Sequence, residues 1–242
     1  YTAYARAEEI PAVPDLAVVV LPTAIVCETI EACGKKGIRN AIIVSGGFKE
    51  TGEEGARRER ELVAIAEKYG ISIIGPNCLG VTNTHHRLNT TPHRYYGQPG
   101  FIGLASQSGS FVTQMFAYLN SLELGFSTAF SIGNEANTDI VDCLEYLGAC
   151  PHTRVIALYV EAIHRGRQFV ETARRITPRK PIVAVYVGGS ETGRRAALSH
   201  TGAMSGPDDL YNGIFRQAGV IRAASIMEMF DICAALGQLP AP

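Results

Sequence analysis

No apolar stretch of the chain approaches the roughly 20 residues that span a bilayer, so a membrane span is not expected. No Lys/Arg run exceeds a few residues and the net charge is −1, which argues against nucleic acid as a partner. Small anions remain open, because backbone amides bind them without net positive charge. The opening Tyr1–Arg6 has neither signal-peptide nor transit-peptide character. Six scattered cysteines (Cys27, Cys33, Cys78, Cys143, Cys150, Cys233) include no C-x-x-C and no zinc-type pairing with histidine. They read as small buried hydrophobes of a reducing, cytoplasmic setting. His85, His86 and His93 sit in a polar stretch without cysteine or acidic neighbours, so no metal site is expected. The first half also lacks a G-x-G-x-x-G turn. Either it binds no nucleotide-like ligand, or the chain begins partway into a Rossmann unit.

What is present is an ordinary globular composition, 46% hydrophobic and 19% charged over 242 residues, enough for two modest domains or one large one. Short β-branched runs alternate with amphipathic stretches. Leu16–Leu21, Ala41–Ser45 and Ile71–Ile74 read as buried strands, with helical spacing near Thr23–Lys36 and Glu53–Tyr69 between them. A loop rich in turn residues is expected from Asn83 to Pro99. The pattern restarts with strands at Phe101–Ala105, Ser127–Ile132, Val155–Val160 and Ile182–Val187. Helices are expected near Ser110–Ser121, Thr138–Leu147, Arg165–Ile176 and Ser225–Leu236. This is an α/β chain of two doubly wound domains, 1–97 and 98–242. In such folds ligands bind at the carboxyl ends of strands.

The unusual residues stand at those ends. Ser45, Gly46 and Gly47 follow the second strand, where paired glycines allow a ligand to approach the backbone or simply make a tight turn. Asn77 and Cys78 follow the third, in Gly75–Gly80, and read as lining residues rather than as a covalent thiol site. Ser106-Gln107-Ser108-Gly109-Ser110 leads into a helix, whose unpaired N–H groups and partial positive charge suit phosphate. A serine N-cap explains part of that pattern, yet three serines and a glycine exceed what one cap needs. Asp139 or Thr138 reads as the cap of the next helix. Glu161 directly follows an apolar strand; a carboxylate so placed needs a partner, and an imidazole is one candidate. His200 lies in Ala196-Ala197-Leu198-Ser199-His200-Thr201-Gly202-Ala203, among small and hydroxylated residues with nothing bulky to pack against.

Six strings stand in order: GFKETGEEG (47–55), GPNCLGV (75–81), SQSGS (106–110), SIGNEANTD (131–139), YVEAI (159–163) and SHTGA (199–203). Together they resemble the nucleoside-diphosphate-forming (ADP-forming) acyl-CoA synthetases, relatives of the succinyl-CoA synthetase α subunit, from about Ile10 to Val220. The resemblance implies a partial Rossmann-like CoA-binding domain followed by a flavodoxin-like ligase domain. It implies that His200 is transiently phosphorylated, that Glu161 orients it, and that Ser108, Gly109 and Ser110 hold the phosphoryl group. Ser45, Gly46 and Gly47 then touch CoA, while Asn77 and Cys78 line the approach to the histidine. It further implies acyl-CoA and phosphate as reactants, and ADP/ATP with Mg2+ on an ATP-grasp β-type subunit or fused domain, in an oligomer. The family's opening strand and glycine-rich turn have no counterpart, so the chain reads as an N-terminally truncated α-type unit. Where many members carry Lys-x-Gly-Arg, this chain has Tyr186-Val187-Gly188-Gly189, without the two positive charges.

Two rival readings stand beside this one. Ser108, Glu161 and His200 follow the chain order of a serine hydrolase triad, but Ser106 occupies the first glycine position of the G-x-S-x-G elbow. A non-catalytic acyl-CoA-sensing domain, of the kind fused to acetyltransferases, would explain the lost basic residues. It would not require both His200 and Glu161.

Overall fold

The computed structural model describes residues 2–94, 97–188 and 206–239. Three parallel strands, β1 (Ala17–Val19), β2 (Asn40–Ile43) and β3 (Ser72–Ile74), form a first sheet in the order β1-β2-β3. The connecting helices are α1 (Val26–Lys36) and α2 (Glu53–Tyr69). In β2 the run Ala41-Ile42-Ile43 is buried without alternation, as expected of a parallel strand covered on both faces. In α2 the buried positions Gly55, Glu59, Leu62 and Ala66 recur at helical spacing and turn one stripe to the sheet.

A seven-stranded sheet follows, in the order β10-β9-β8-β6-β7-β4-β5. Its parallel members are β6 (Pro99–Ser106), β7 (Phe126–Ser131), β8 (Val155–Val160), β9 (Ile182–Tyr186) and β10 (Ile221–Ala223). Taken in chain order, these five strands have the doubly wound 2-1-3-4-5 arrangement of flavodoxin-like folds. β4 (Gly80–Asn83) and β5 (Leu88–Asn89) add an antiparallel hairpin beside β7. One face of the sheet is covered by α3 (Gly109–Ser121) and α7 (Ile226–Gln238), whose Phe111 and Phe230 pack on Leu104 and Phe126. The other is covered by α4 (Ile140–Ala149), α5 (Gly166–Ile176) and α6 (Asp208–Ala218), through Leu144, Phe169 and Phe215. Ile42 and Cys78 join that second core, so the first unit is packed against the second.

The chain passes between sheets after Ile74 and before Gly80. The observed elements differ from the sequence reading at two places. β4 and β5 fall in or just before the stretch expected to be loop; all four residues of β4 are buried, and cross-strand pairing rather than local pattern makes them a strand. α6 and β10 were not anticipated, although α6 buries Tyr211, Phe215 and Ala218 at helical spacing.

Candidate functional site

The strand order of the large sheet reverses between β6 and β8, which pair directly. The crevice at their carboxyl ends is the natural ligand position in this topology. Ser106, Gln107 and Ser108 leave β6 there, each buried, and Glu161 leaves β8 with only 3% of its surface exposed. Ser106 ties its hydroxyl to its own turn, donating to the Ser108 carbonyl (2.8 Å) and accepting from the Ser108 amide (3.1 Å). Ser108 occupies the N-cap position of α3, but its hydroxyl does not cap the helix; it lies 3.3 Å from the Ser110 hydroxyl. The two hydroxyls therefore stand together at the positive end of a helix, beside Gly109. Ser108 has φ −96° and ψ 120°, relaxed extended backbone rather than the strained elbow of a hydrolase nucleophile.

Gln107 connects these elements. Its Oε1 accepts from the amides of Glu161 (2.5 Å) and Ala162 (3.1 Å), and its Nε2 donates to the Ala162 carbonyl (2.7 Å) and to Glu135 Oε2 (2.7 Å). Glu135 follows β7 in the left-handed region at φ 57°, and its side chain is 3% exposed. Burial pushes its carboxyl from the ordinary 4.5 up to about 8, against the pull of hydrogen bonds from Gln107 and the Ile140 amide. His164 Nε2 lies 3.6 Å away, and burial, then the Lys49 charge, holds its pKa below the usual imidazole value. An ion pair would shift both groups the other way. Burial outweighs the pairing, and at neutral pH a neutral carboxyl faces a neutral imidazole. Tyr159, the penultimate residue of β8, has its hydroxyl raised to about 12 by burial and by the charge of Glu161.

The first unit reaches this region through the crossing segment Gly75–Gly80. The Asn77 amide donates to the Ser45 carbonyl (3.0 Å), which brings the Ser45–Gly47 turn and Asn77 together. Asn77 also meets Asn134 of the turn after β7 (3.4 Å). The Ser45 hydroxyl is spent on Leu21, and Glu50 Oε1 takes the amides of Gly47 (2.5 Å) and Phe48 (3.1 Å). Burial works to raise the Glu50 carboxyl, but hydrogen bonds from Asn134 and these amides outweigh it and hold the pKa below the usual range. Gly47, at φ 98°, would drive a Cβ to 2.5 Å from the Thr23 hydroxyl, so packing alone already requires glycine there. Cys78 is buried in the core with Sγ on the Ile43 carbonyl (3.3 Å), and burial pushes its thiol up to about 12. Of the two lining candidates, Asn77 is the one that contacts the turns around the crevice.

Asn134 is the joint between the units. Its side chain donates to Glu50 (2.6 Å) and Glu59 (2.8 Å), its amide donates to the Pro76 carbonyl (2.9 Å), and Lys49 donates to its carbonyl. Gly133 beside it has φ 56°, and a Cβ there would lie 2.3 Å from the Pro76 oxygen and 2.5 Å from that of Asn77. Both obstacles are backbone. Gly133→Ala should therefore destabilise the fold by about 1–3 kcal/mol. Denaturant unfolding checks this, and an unchanged midpoint would refute the assigned close approach.

The helix cap expected at Asp139 is present as a capping box with Asp142. Arg165 adds a bidentate pair to Asp139, at 2.6 and 2.5 Å. At the end of β9, Tyr186 stands where the resemblance expected lysine. Its ring stacks on Tyr211 at 3.7 Å and its hydroxyl donates to the Gly206 carbonyl (2.8 Å). Tyr211 in turn accepts from the amide of Ile163, two residues after Glu161 (3.1 Å). His200 lies outside the described residues, as do the rest of SHTGA and Gly189.

Among the described residues no group of three or more His, Cys, Asp or Glu stands together as a metal site, and no helix is long and apolar enough to cross a membrane. All six cysteines are free thiols. An apolar cavity of about 350 Å³ opens at the opposite ends of the strands, beside Asn40 and Ser72 where β2 and β3 begin. The convergent polar groups are at the carboxyl ends, and chemistry belongs there. Sequence reading missed Gln107, Glu135, Asn134 and His164. The signal for the first three was their place inside strand-end motifs; for His164, its nearness to Glu161.

Comparisons with known proteins agree with this architecture. A family model described as a succinyl-CoA ligase like flavodoxin domain matches residues 99–236, and a CoA binding domain model matches residues 1–84. The α subunit of acetate–CoA ligase (ADP-forming) II from Pyrococcus furiosus is 44% identical over 98% of this chain and 51% of its own length. The 4-hydroxybutyrate–CoA ligase (ADP-forming) of Nitrosopumilus maritimus is 38% identical over 99% of this chain and 35% of its own. Among solved structures, dinucleotide forming acetyl-coenzyme A synthetase 1 of Ca. Korarchaeum cryptofilum, in complex with phosphate and ADP, superposes with a TM-score of 0.92. It is 36% identical, with 100% of this chain and 52% of that one covered. The chain thus spans between about a third and a half of the curated relatives it matches. With strand order and both domain models in agreement, the chain belongs to the family of the succinyl-CoA ligase like flavodoxin domain, preceded by a CoA binding domain, and is similar over nearly its whole length to ADP-forming acyl-CoA synthetases and their α subunits.

Proposed function

We propose that this chain is the α-type unit of an ADP-forming acyl-CoA synthetase, interconverting acyl-CoA, phosphate and ADP with carboxylic acid, CoA and ATP. In the first step a phosphate oxygen bonds to the thioester carbon and the C–S bond breaks. CoA departs as the thiol with a proton, leaving an acyl phosphate. His200 then attacks phosphorus: the N–P bond forms, the bond from phosphorus to the acyl oxygen breaks, and the carboxylate leaves. The phosphohistidine passes its phosphoryl group to ADP. Attack requires a neutral imidazole with one nitrogen unprotonated, and Glu161 on the other nitrogen fixes that tautomer and stabilises the positive ring that forms. Ser108, Gly109 and Ser110 hold the phosphoryl oxygens with α3's first turn.

The observation that carries this reading is the buried Glu161 at the switch point, beside the anchored ends of the segment that contains His200. That segment leaves from the end of β9, next to β8, and its far side is tied back where Tyr186 holds Gly206. His200 precedes Gly206 by six residues, an extended reach of at most roughly 20 Å. The paired hydroxyls of Ser108 and Ser110 support a phosphate at α3, and the similar Ca. Korarchaeum cryptofilum synthetase is a complex with phosphate and ADP.

CoA would approach over Ser45, Gly46 and Gly47, with Asn77 and Cys78 below; a cavity of about 520 Å³ beside Leu21 and Thr29 lies at the same strand ends. Because Glu50 already holds the Gly47 and Phe48 amides, that contact relies on close approach to the glycines rather than on those two N–H groups. ADP/ATP and Mg2+ belong to an ATP-grasp β-type partner or fused domain, in an oligomeric, cytoplasmic enzyme. Incubation of the chain with acetyl phosphate labelled at phosphorus tests the reading. An acid-labile, base-stable label is expected; a blank result, alone and again with the nucleotide-binding partner, would overturn it in favour of an acyl-CoA sensor.

A further inference from the structure

The Gln107 side chain touches both the β7 turn and the segment carrying Glu161, and three of its four hydrogen bonds are to groups that fix its orientation. The amides of Glu161 and Ala162 can only donate, so they must face Oε1. The Ala162 carbonyl can only accept, so it must face Nε2. With 3% exposure the amide has no water to substitute for a lost partner. The same Nε2 reaches Glu135 across the crevice, and Glu135 is itself held by the first amide of α4.

We propose that Gln107 is a positioning residue for phosphotransfer: it clamps the backbone at Glu161–Ala162 and thereby fixes the carboxylate that orients the phosphorylated histidine. The inference rests on the synthetase reading above and adds to it a residue that touches neither phosphoryl group nor imidazole. A backbone shift of an ångström at Glu161 would move its carboxylate out of line with the ring nitrogen, and such misplacements cost on the order of 10²-fold in rate. Gln107 also makes the clamp specific for an amide. A carboxylate at this position would still accept from both N–H groups but would repel the Ala162 carbonyl and the Glu161 carboxylate, and Glu135 as well once that carboxyl ionises near pH 8. A protonated carboxylic acid restores the pattern, its C=O accepting and its O–H donating to Ala162.

The test compares wild type, Gln107→Leu and Gln107→Glu by acetyl-phosphate labelling between pH 5.5 and 9, with amide exchange at Glu161 and Ala162 followed in parallel. Gln107→Leu should label about 10–100-fold more slowly at every pH, by analogy with residues that orient other ligating groups. Its two amides should exchange faster. Gln107→Glu should be comparably slow at alkaline pH, and its rate relative to wild type should climb back as pH falls and the new carboxyl protonates, with Glu135, His164 and Glu161 as the titrating neighbours. A purely structural role would not produce that reversible recovery in one sample. A Gln107→Glu ratio that is flat with pH, or a full-rate Gln107→Leu chain, overturns the inference alone. If Gln107→Leu does not fold, the Gln107→Glu profile still decides. A wild-type chain that takes no label overturns the synthetase reading, and the inference with it.

Discussion

A His200→Ala chain should take up no phosphoryl label from acetyl phosphate, and Glu161→Gln should take it up on the order of 10²–10⁴-fold more slowly than wild type. The two losses have different causes. Alanine removes the only atom that forms the N–P bond in the proposed relay. Glutamine keeps the volume and the hydrogen-bonding reach of Glu161 but removes the charge that stabilises an imidazolium. It can also present its N–H to the ring and select the unreactive tautomer. Because Glu161 is buried at the end of β8, its charge acts through a medium of low polarity, where it is worth more than at a surface. Its backbone amide, bonded to Gln107, is unaffected by the substitution, so folding should be retained. Quench-flow labelling with a thermal melt of each variant separates the effects. Persistent label in His200→Ala would move the phosphoryl group to another residue, and an undiminished rate in Glu161→Gln would remove the carboxylate from the mechanism.

The fold was legible where local pattern and burial agree. The runs at 155–160 and 182–187 are apolar throughout because helices cover both faces of the sheet, and they became β8 and β9. β4 was not legible, since Gly80-Val81-Thr82-Asn83 has no periodicity and is a strand only because β7 lies beside it. α6 did carry a readable stripe at Tyr211, Phe215 and Ala218, obscured by Asn212-Gly213 in its middle. The candidate site shows the same division. Glu161 stood out as a carboxylate ending an apolar strand, and the serines as an excess over one cap. Gln107 lay between two of those serines yet carried no sign that its amide spans to the next strand, which is a tertiary fact. The Ser45–Gly47 turn shows the converse: its glycines invited a ligand, while much of their necessity comes from Thr23 and Glu50.

Glu135 leads to the second large expectation, a stability that falls as pH rises. Folding raises its carboxyl from 4.5 to about 8, because burial outweighs the hydrogen bonds from Gln107 and Ile140, and the charge of Asp139 opposes ionisation while that of Lys49 favours it. Below pH ~4.5 the group is protonated in both the folded and unfolded chain, and its contribution to stability is fully retained. Between there and about 8 the folded chain binds one more proton than the unfolded one, so stability declines by about 1.4 kcal/mol per pH unit. Past pH ~8 both states are ionised and the decline ends, after a total on the order of 4–5 kcal/mol. Other groups add their own slopes, so the measurement is the difference between wild type and Glu135→Gln across pH 5–9. Glutamine offers one oxygen to two donors, Gln107 Nε2 and the Ile140 amide, and this costs some stability at every pH without tilting the curve. The wild-type curve should be steeper than the variant's up to about pH 8 and parallel beyond it. Parallel curves throughout would mean that Glu135 is ionised in the folded protein at neutral pH. His164 would then face a carboxylate and gain a proton, and the crevice would hold an ion pair where the present geometry and burial favour two neutral groups.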